Sequence, residues 1–119
     1  MASREEFPSV TLDADATQVF AEIEVQSDIS YYELPTVLIR GFKEAKTYEE
    51  AAAATMQRLS QARRHAQLIG GGFLTHDSTK KEIIVNLYTL DYGLGHMERL
   101  SELCREAYPG YKVIRRSVD

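Results

Sequence analysis

The chain has 119 residues, of which 44% are hydrophobic and 27% charged, and its formal net charge is -4. This composition is typical of one globular domain and excludes a disordered or fibrous protein. The acidic balance argues against a general nucleic-acid-binding protein, which would need basic residues to neutralise phosphates. A single cysteine, Cys104, excludes an internal disulfide and fits a reducing compartment. We therefore predict a cytoplasmic protein, and the absence of a long apolar stretch predicts no membrane partner.

The first half of the chain reads as strands. We predict a flexible N-terminus over residues 1–9 and a single α+β domain over residues 10–119. Residues 18–26, Q-V-F-A-E-I-E-V-Q, alternate between apolar and mostly polar positions, which is typical of a strand with one buried face. The short run V-T-L at residues 10–12 is expected to pair with that strand, and T-V-L-I-R-G-F at residues 36–42 is read as another.

A helix is predicted to begin after Thr47. The segment T-Y-E-E has the spacing of a capping box, with Thr47 as N-cap and Glu50 reaching back. Four alanines follow, and apolar residues then recur at steps of three and four as far as Ile69. We expect the helix to end at the three glycines of residues 70–72, which are interpreted as its C-cap.

The second half predicts a hairpin, a helix and a last strand. F-L-T-H and E-I-I-V-N-L-Y-T-L flank the loop D-S-T-K-K, a length typical of hairpins. Residues 97–107 carry a second helical stripe that includes Cys104, interpreted as a buried small hydrophobe rather than a nucleophile. Residues 111–118 read as the final strand.

From residue 35 onward the predicted order is β-α-β-β-α-β, with one or two extra N-terminal strands. This order predicts a ferredoxin-like split βαββαβ sandwich: an antiparallel sheet with two helices on one face. The other face would be open, and we expect a homodimer to cover it. The predicted interface residues are Phe20, Glu22, Glu24, Ile84, Tyr88 and Leu90.

The sequence also predicts an anion pocket around D-Y-G-L-G-H at residues 91–96. Backbone amides at the start of a helix, together with basic side chains, suit a carboxylate or phosphate. The predicted ligand-binding residues are Tyr92, Gly93, Gly95, His96, Arg115 and Arg116. The competing interpretation is a turn: the glycines allow unusual backbone angles, Asp91 caps the helix and His96 is a solvated first-turn residue.

The sequence does not favour a dinucleotide site, a metal site or an RNA-binding surface. G-L-G lacks the third glycine of a dinucleotide fingerprint, because Arg99 stands there. The three histidines are far apart in the predicted topology, so no metal site and no cofactor are expected. RNA-recognition domains share the βαββαβ order, but their stacking aromatics are poorly matched in the corresponding strands, and nucleic acid is an unlikely partner.

These features lead to two functional hypotheses. The first is a small non-catalytic protein-binding or regulatory module, of adaptor or inhibitor type, which binds a protein partner through the open face or the N-terminal strand. The alternative is a small ligand-binding protein or enzyme that uses the anion pocket around Tyr92, His96 and Arg115. In the first hypothesis no residue is catalytic; in the second, His96 acts as acid or base and Arg115 holds an anion.

Overall fold

The computed structural model describes residues 7–26, 36–90 and 96–115, with the backbone alone at residues 36, 87–90, 96 and 97. It contains two helices and six strands in these residues. In chain order they are β1 (Val10–Thr11), β2 (Thr17–Val25), β3 (Thr36–Phe42), α1 (Tyr48–Gln61), β4 (Ala66–Asp77), β5 (Glu82–Leu90), α2 (His96–Ala107) and β6 (Lys112–Arg115). The α+β class predicted from the sequence is confirmed.

The six strands form one sheet in the order β1-β3-β2-β4-β5-β6. β2 is a central strand, since it pairs antiparallel with β3 on one side and with β4 on the other. It is therefore not free to add to the edge of a partner's sheet, which was one of the two binding modes of the first hypothesis. The short β1 pairs parallel with β3 and not with β2, which corrects the predicted N-terminal pairing.

The strand order differs from the ferredoxin-like order, and the helices lie on opposite faces. β3 and β4 both run antiparallel to β2, whereas β5 runs antiparallel to β4 and β6 is parallel to β5. The sheet thus has two crossovers, β3-α1-β4 and β5-α2-β6, and both move across it in the same direction. Their first strands, β3 and β5, run in opposite directions. Right-handed crossovers then place α1 and α2 on opposite sides.

Each helix covers its own apolar cluster. On the outer face, which carries α1, Ala52 and Leu59 pack on Ala21, Ile23 and Leu38. On the inner face, which carries α2, the buried residues form a second cluster: Val10, Phe20, Val37, Ile39, Leu74, Ile83, Val85, Leu100 and Cys104. α2 contacts β5 and β6 at one edge of the sheet and β1 at the other, so the sheet curls around α2.

α1 ends earlier than the sequence pattern indicates. Its C-cap is Ala62, and Arg63 follows with a left-handed φ of 58°. Strand β4 then begins at Ala66 and runs for twelve residues, through the three glycines. Gly70, Gly71 and Gly72 are therefore paired with both β2 and β5 and are not a helix C-cap.

The proposed interface residues occupy different environments. Phe20 and Glu22 are completely buried, Glu24 and Ile84 are half-buried, and the side chains of Tyr88 and Leu90 lie outside the described part of the chain. α1 contacts β2, β3 and β4, which leaves the outer face of β5 and β6 less covered. Ile84 lies on that flank beside Ile114, which is 36% exposed. The homodimer stays a prediction, and among the described members of the proposed interface only Ile84 lies on this flank.

The two edge strands of the sheet are short. β1 has two residues and β6 has four. Ahead of β1, Phe7 packs against the outer cluster and the carbonyl of Ser9 accepts a hydrogen bond from the amide of Ile39 at 2.7 Å. Within the described residues, neither helix is long and apolar enough to cross a membrane.

Candidate functional site

A cavity of about 250 Å³ opens on the outer face, where α1 begins above the sheet. This volume is below the ~300–1,000 Å³ of typical small-molecule pockets, so it suits one side chain or a small group. The residues that line it come from β2, the first turn of α1 and β4: Val19, Lys46, Thr47, Tyr48, Glu49, Gly71, Gly72 and Phe73.

One wall of the cavity is the N-terminus of α1. The hydroxyl of Thr47 accepts a hydrogen bond from the amide of Glu50 at 3.2 Å, and the carbonyl of Thr47 accepts one from Ala51 at 3.1 Å. The Glu50 carboxylate in turn accepts a hydrogen bond from the amide of Lys46. The predicted N-cap is confirmed. In the first turn this leaves the amides of Tyr48 and Glu49, which have no acceptor inside their own helix.

The floor of the cavity includes Gly71, where there is no room for a side chain. A Cβ atom added at Gly71 would lie 2.5 Å from the carbonyl oxygen of Phe20 and 2.5 Å from the Cβ of Tyr48. Tyr48 therefore sits directly on the backbone of β4, closer than any side chain at position 71 would allow. This contact sets the start of α1 against the sheet and fixes the depth of the cavity.

An apolar row runs across the sheet beside this floor. Val19 pairs with Phe42 on β3 and with Phe73 on β4, so the three side chains stand on one face. Val19 is buried, whereas Phe42 and Phe73 are each 43% exposed. Only Phe73 of these two lines the cavity. The walls thus combine an apolar side with a helix start, and suit a ligand with an apolar body and an anionic head.

Two charged side chains belong to the cavity lining, Lys46 and Glu49, and both are exposed. Lys46 adds positive charge to the partial positive charge of the helix N-terminus. Glu49 is the only carboxylate among the described lining residues. An anion at the helix start would therefore meet backbone amides and one cation, with a single proton acceptor nearby.

The predicted anion pocket lies mostly outside the described residues, so it stays a prediction. Tyr92, Gly93, Gly95 and Arg116 lie outside the description, and His96 is described only as the first backbone position of α2. Arg115 is exposed at the end of β6, which is separated from β4 by β5, and it does not line the cavity. The chain does enter residues 91–95 from Leu90, whose backbone pairs with Gly70 next to the cavity floor.

The described histidines and the cysteine lie away from the cavity. His76 is 5% exposed, accepts a hydrogen bond from the amide of Asp15 at its Nδ1 atom, and contacts the rings of Tyr108 and Tyr111. His65 is exposed between α1 and β4. Cys104 is fully buried under the sheet, and this burial raises the pKa of its thiol to about 12. Among the described residues, no group of three or more His, Cys, Asp or Glu side chains is placed to hold a metal ion.

Sequence reasoning missed this cavity although it singled out both of its main parts. The capping box at Thr47 predicts only the start of a helix, and the triple glycine predicts only the end of the same helix. The missed signal was that a glycine within a strand often marks a close approach of another segment. Once β4 includes Gly71, the approaching segment is the capped start of α1.

Comparison with known proteins identifies the family. The sequence model of the Janus/Ocnus family matches residues 4–112, so the chain belongs to the Janus/Ocnus family. The chain is also similar to a curated protein of Sus scrofa named 14 kDa phosphohistidine phosphatase. The two are 25% identical over 112 residues, which cover 91% of this chain and 88% of that protein.

These findings correct the first functional hypothesis. The prediction of a non-catalytic protein-binding or regulatory module is wrong, because the family and the relative named as a phosphatase favour an enzyme. The alternative, a small ligand-binding protein or enzyme with an anion pocket, is better supported.

Proposed function

We propose that this chain is a phosphatase that removes the phosphoryl group from phosphohistidine side chains, in the cavity at the start of α1. The observation that carries the proposal is this small cavity, which joins a helix N-terminus and Lys46 to an apolar wall, in a chain similar to a phosphohistidine phosphatase. A phosphohistidine side chain combines a dianionic head with a flat, weakly polar ring, which matches both parts of the cavity.

Binding follows from the charges at the helix start. The phosphoryl oxygens accept hydrogen bonds from the amides of Tyr48 and Glu49, where the helix dipole favours negative charge. Lys46 supplies a cation at the same side of the cavity. A lysine suits this role because its ammonium is a compact point charge that can follow the moving phosphoryl group.

Hydrolysis in this site is proposed to proceed by direct attack of water. The residues described in the cavity lining include neither histidine nor cysteine, so water is the nucleophile that the geometry favours. Glu49 orients the water and accepts its proton as the oxygen bonds to phosphorus. The P–N bond breaks, and the proton passes to the departing imidazole nitrogen, which leaves neutral histidine and inorganic phosphate. Positioning and charge stabilisation account for most of the catalysis of phosphoryl transfer.

The test is hydrolysis of a peptide phosphorylated on histidine, followed by ³¹P NMR as loss of the phosphoramidate signal and appearance of inorganic phosphate. We expect Lys46→Ala to lower kcat/KM by roughly 10–100-fold, since it removes a charged hydrogen bond to the phosphoryl group. Glu49→Gln should lower kcat by about 10²-fold or more while KM changes little. Unchanged turnover in both variants would overturn the assignment of the site.

The matched control is Lys43→Ala. Lys43 is an exposed lysine in the same connection between β3 and α1, but it does not line the cavity. Its structural contact is made by its backbone amide, which donates to Asp13 at 2.7 Å and is kept in the variant. Turnover should therefore match the unmodified protein. A protein that releases no phosphate from the peptide above the rate without enzyme contradicts the proposed function.

A further inference from the structure

The apolar side of the cavity contains more aromatic surface than phosphate binding requires. Phe73 projects from β4 with 43% of its surface exposed, although it stands next to the buried Val19. An exposed phenylalanine at the rim of a small cavity is a common element of ligand recognition, because an aromatic face contributes contact area with little loss of side-chain freedom.

A second aromatic side chain stands on the same strand face. The Cβ and Cγ atoms of Tyr48 lie above Gly71, as their distances of 2.5 and 2.8 Å from a Cβ placed there show. Gly71 and Phe73 are two residues apart in β4, so their positions point to the same side and are separated by about 6.6 Å. Tyr48, which comes from α1 and lies over Gly71, and Phe73 of β4 thus both line the cavity on the same face of the sheet.

We infer that Tyr48 and Phe73 form an aromatic slot that selects phosphoryl groups carried on a flat ring, and that Phe73 is a specificity-determining residue. This inference rests on the proposed function, and it names what that site prefers. A ring that enters between the two side chains has an aromatic neighbour on either side while its phosphoryl group reaches the amides of Tyr48 and Glu49. A phosphoryl group on a short aliphatic chain keeps the amides but loses the aromatic contacts.

Phe42 provides an internal control for this inference. It has the same residue type and the same 43% exposure as Phe73, and it flanks Val19 from the opposite strand. It differs in one respect, since it does not line the cavity. Replacement of either residue by leucine removes one exposed aromatic ring from the same face of the sheet.

The experiment measures binding, so that it does not depend on turnover. Dissociation constants for phenyl phosphate, phosphoserine and inorganic phosphate are determined by NMR titration for the unmodified protein, Phe73→Leu and Phe42→Leu. We expect phenyl phosphate to bind the unmodified protein about threefold to tenfold more tightly than phosphoserine. Phe73→Leu should remove this preference without changing the affinity for inorganic phosphate, and Phe42→Leu should keep it.

The outcomes separate the two proposals. Equal affinities for phenyl phosphate and phosphoserine, or equal effects of the two leucine substitutions, overturn the aromatic slot. If phosphohistidine is hydrolysed and the ring preference is absent, the phosphatase proposal stands alone. If the ring preference is present and phosphohistidine is not hydrolysed, the slot is a ligand site and the phosphatase proposal fails. Absence of binding by all three ligands overturns the slot as well.

Discussion

At the scale of single residues, Gly71 has the largest influence on the site. A glycine is needed here because a side chain has no room, and not because the backbone makes a turn. The carbonyl of Phe20 and the side chain of Tyr48 occupy the volume of a Cβ atom. Since one of those neighbours is backbone, the contact cannot be relieved by a rotamer change alone. Any larger residue has to push the start of α1 away from β4.

We expect Gly71→Ala to lower the free energy of unfolding by about 1–3 kcal/mol, the usual cost of overpacking, and to abolish the proposed hydrolysis of phosphohistidine. Gly110→Ala is the control. Gly110 has a φ of 86° and open space around it, so its variant is strained without touching the cavity. Urea denaturation and the ³¹P assay together check the prediction. Full activity in Gly71→Ala would show that the contact with Tyr48 does not shape the site.

The role or burial of a residue could be predicted from the sequence where it depends only on its neighbours along the chain. The N-cap role of Thr47 follows from four consecutive residues, and the burial of Cys104 follows from its apolar stripe; both are confirmed. The contact between Gly71 and Tyr48 joins residues 23 positions apart. It depends on which strand carries the glycine, and local patterns do not contain that information.

At the scale of elements, the end of α1 shows how a helical pattern can mislead. Ala62, Ala66 and Ile69 continue the spacing of three and four, but Ala62 is the C-cap and the other two lie in β4. The chain leaves the helix at Arg63, whose left-handed φ of 58° costs a non-glycine residue about 1 kcal/mol. Pairing of β4 with both β2 and β5 outweighs that cost and the helical propensity of the segment.

Arg63→Gly is therefore expected to stabilise the protein by about 0.5–1 kcal/mol, because glycine adopts the left-handed conformation freely at this position after a helix. Arg64→Gly is the matched control. Arg64 is the next residue and is not among the described residues with positive φ, so its replacement should not stabilise the chain. Thermal or urea unfolding measures both. An Arg63→Gly variant that unfolds more easily than the unmodified protein would contradict this account of the helix end.

At the scale of the whole molecule, the curled sheet encloses one face of α2 from both edges. Leu100 and Cys104 are completely buried there, with Val10 of β1 and Val85 of β5 in the same cluster. The Cys104 thiol stays protonated in the folded chain because burial raises its pKa from 9.0 to about 12. The unfolded chain releases this proton near pH 9. Above that pH the folded state binds more protons than the unfolded state, so stability falls as pH rises towards 12.

We expect ionisation of the Cys104 thiol in the unfolded chain to reduce the free energy of unfolding by at most about 1.4 kcal/mol per pH unit between pH 9 and 12. The comparison is between the unmodified protein and Cys104→Ala, by urea denaturation at pH 7 and pH 10.5. Other groups titrate in both proteins, and the difference isolates the thiol. The unmodified protein should lose more stability than the variant over this interval. Equal losses would show that the thiol is accessible to solvent in the folded state.

The strand order could not be predicted from the sequence, because it depends on pairing across the whole sheet. The strands, apart from the start of β4, and the existence of both helices could be predicted from apolar periodicity. The neighbours of each strand could not be predicted, because β2 inserts between β3 and β4. It pairs with β4 from Thr17 to Val25 and with β3 from Val19 to Val25. The long-range pairing of a central strand depends on the whole sheet, and it also moves the two helices to opposite faces.

The short edge strands affect how the protein behaves at high concentration. β2 and β4, with nine and twelve residues, would be templates for further strands if they lay at an edge, but both are paired on either side. In the described part of the chain the outermost strands are β1, with two residues, and β6, with four. Such short edges offer few backbone groups to another chain, and this limits edge-to-edge aggregation. The molecule thus keeps β2 and β4 inside the sheet, where their backbones are not offered to another chain.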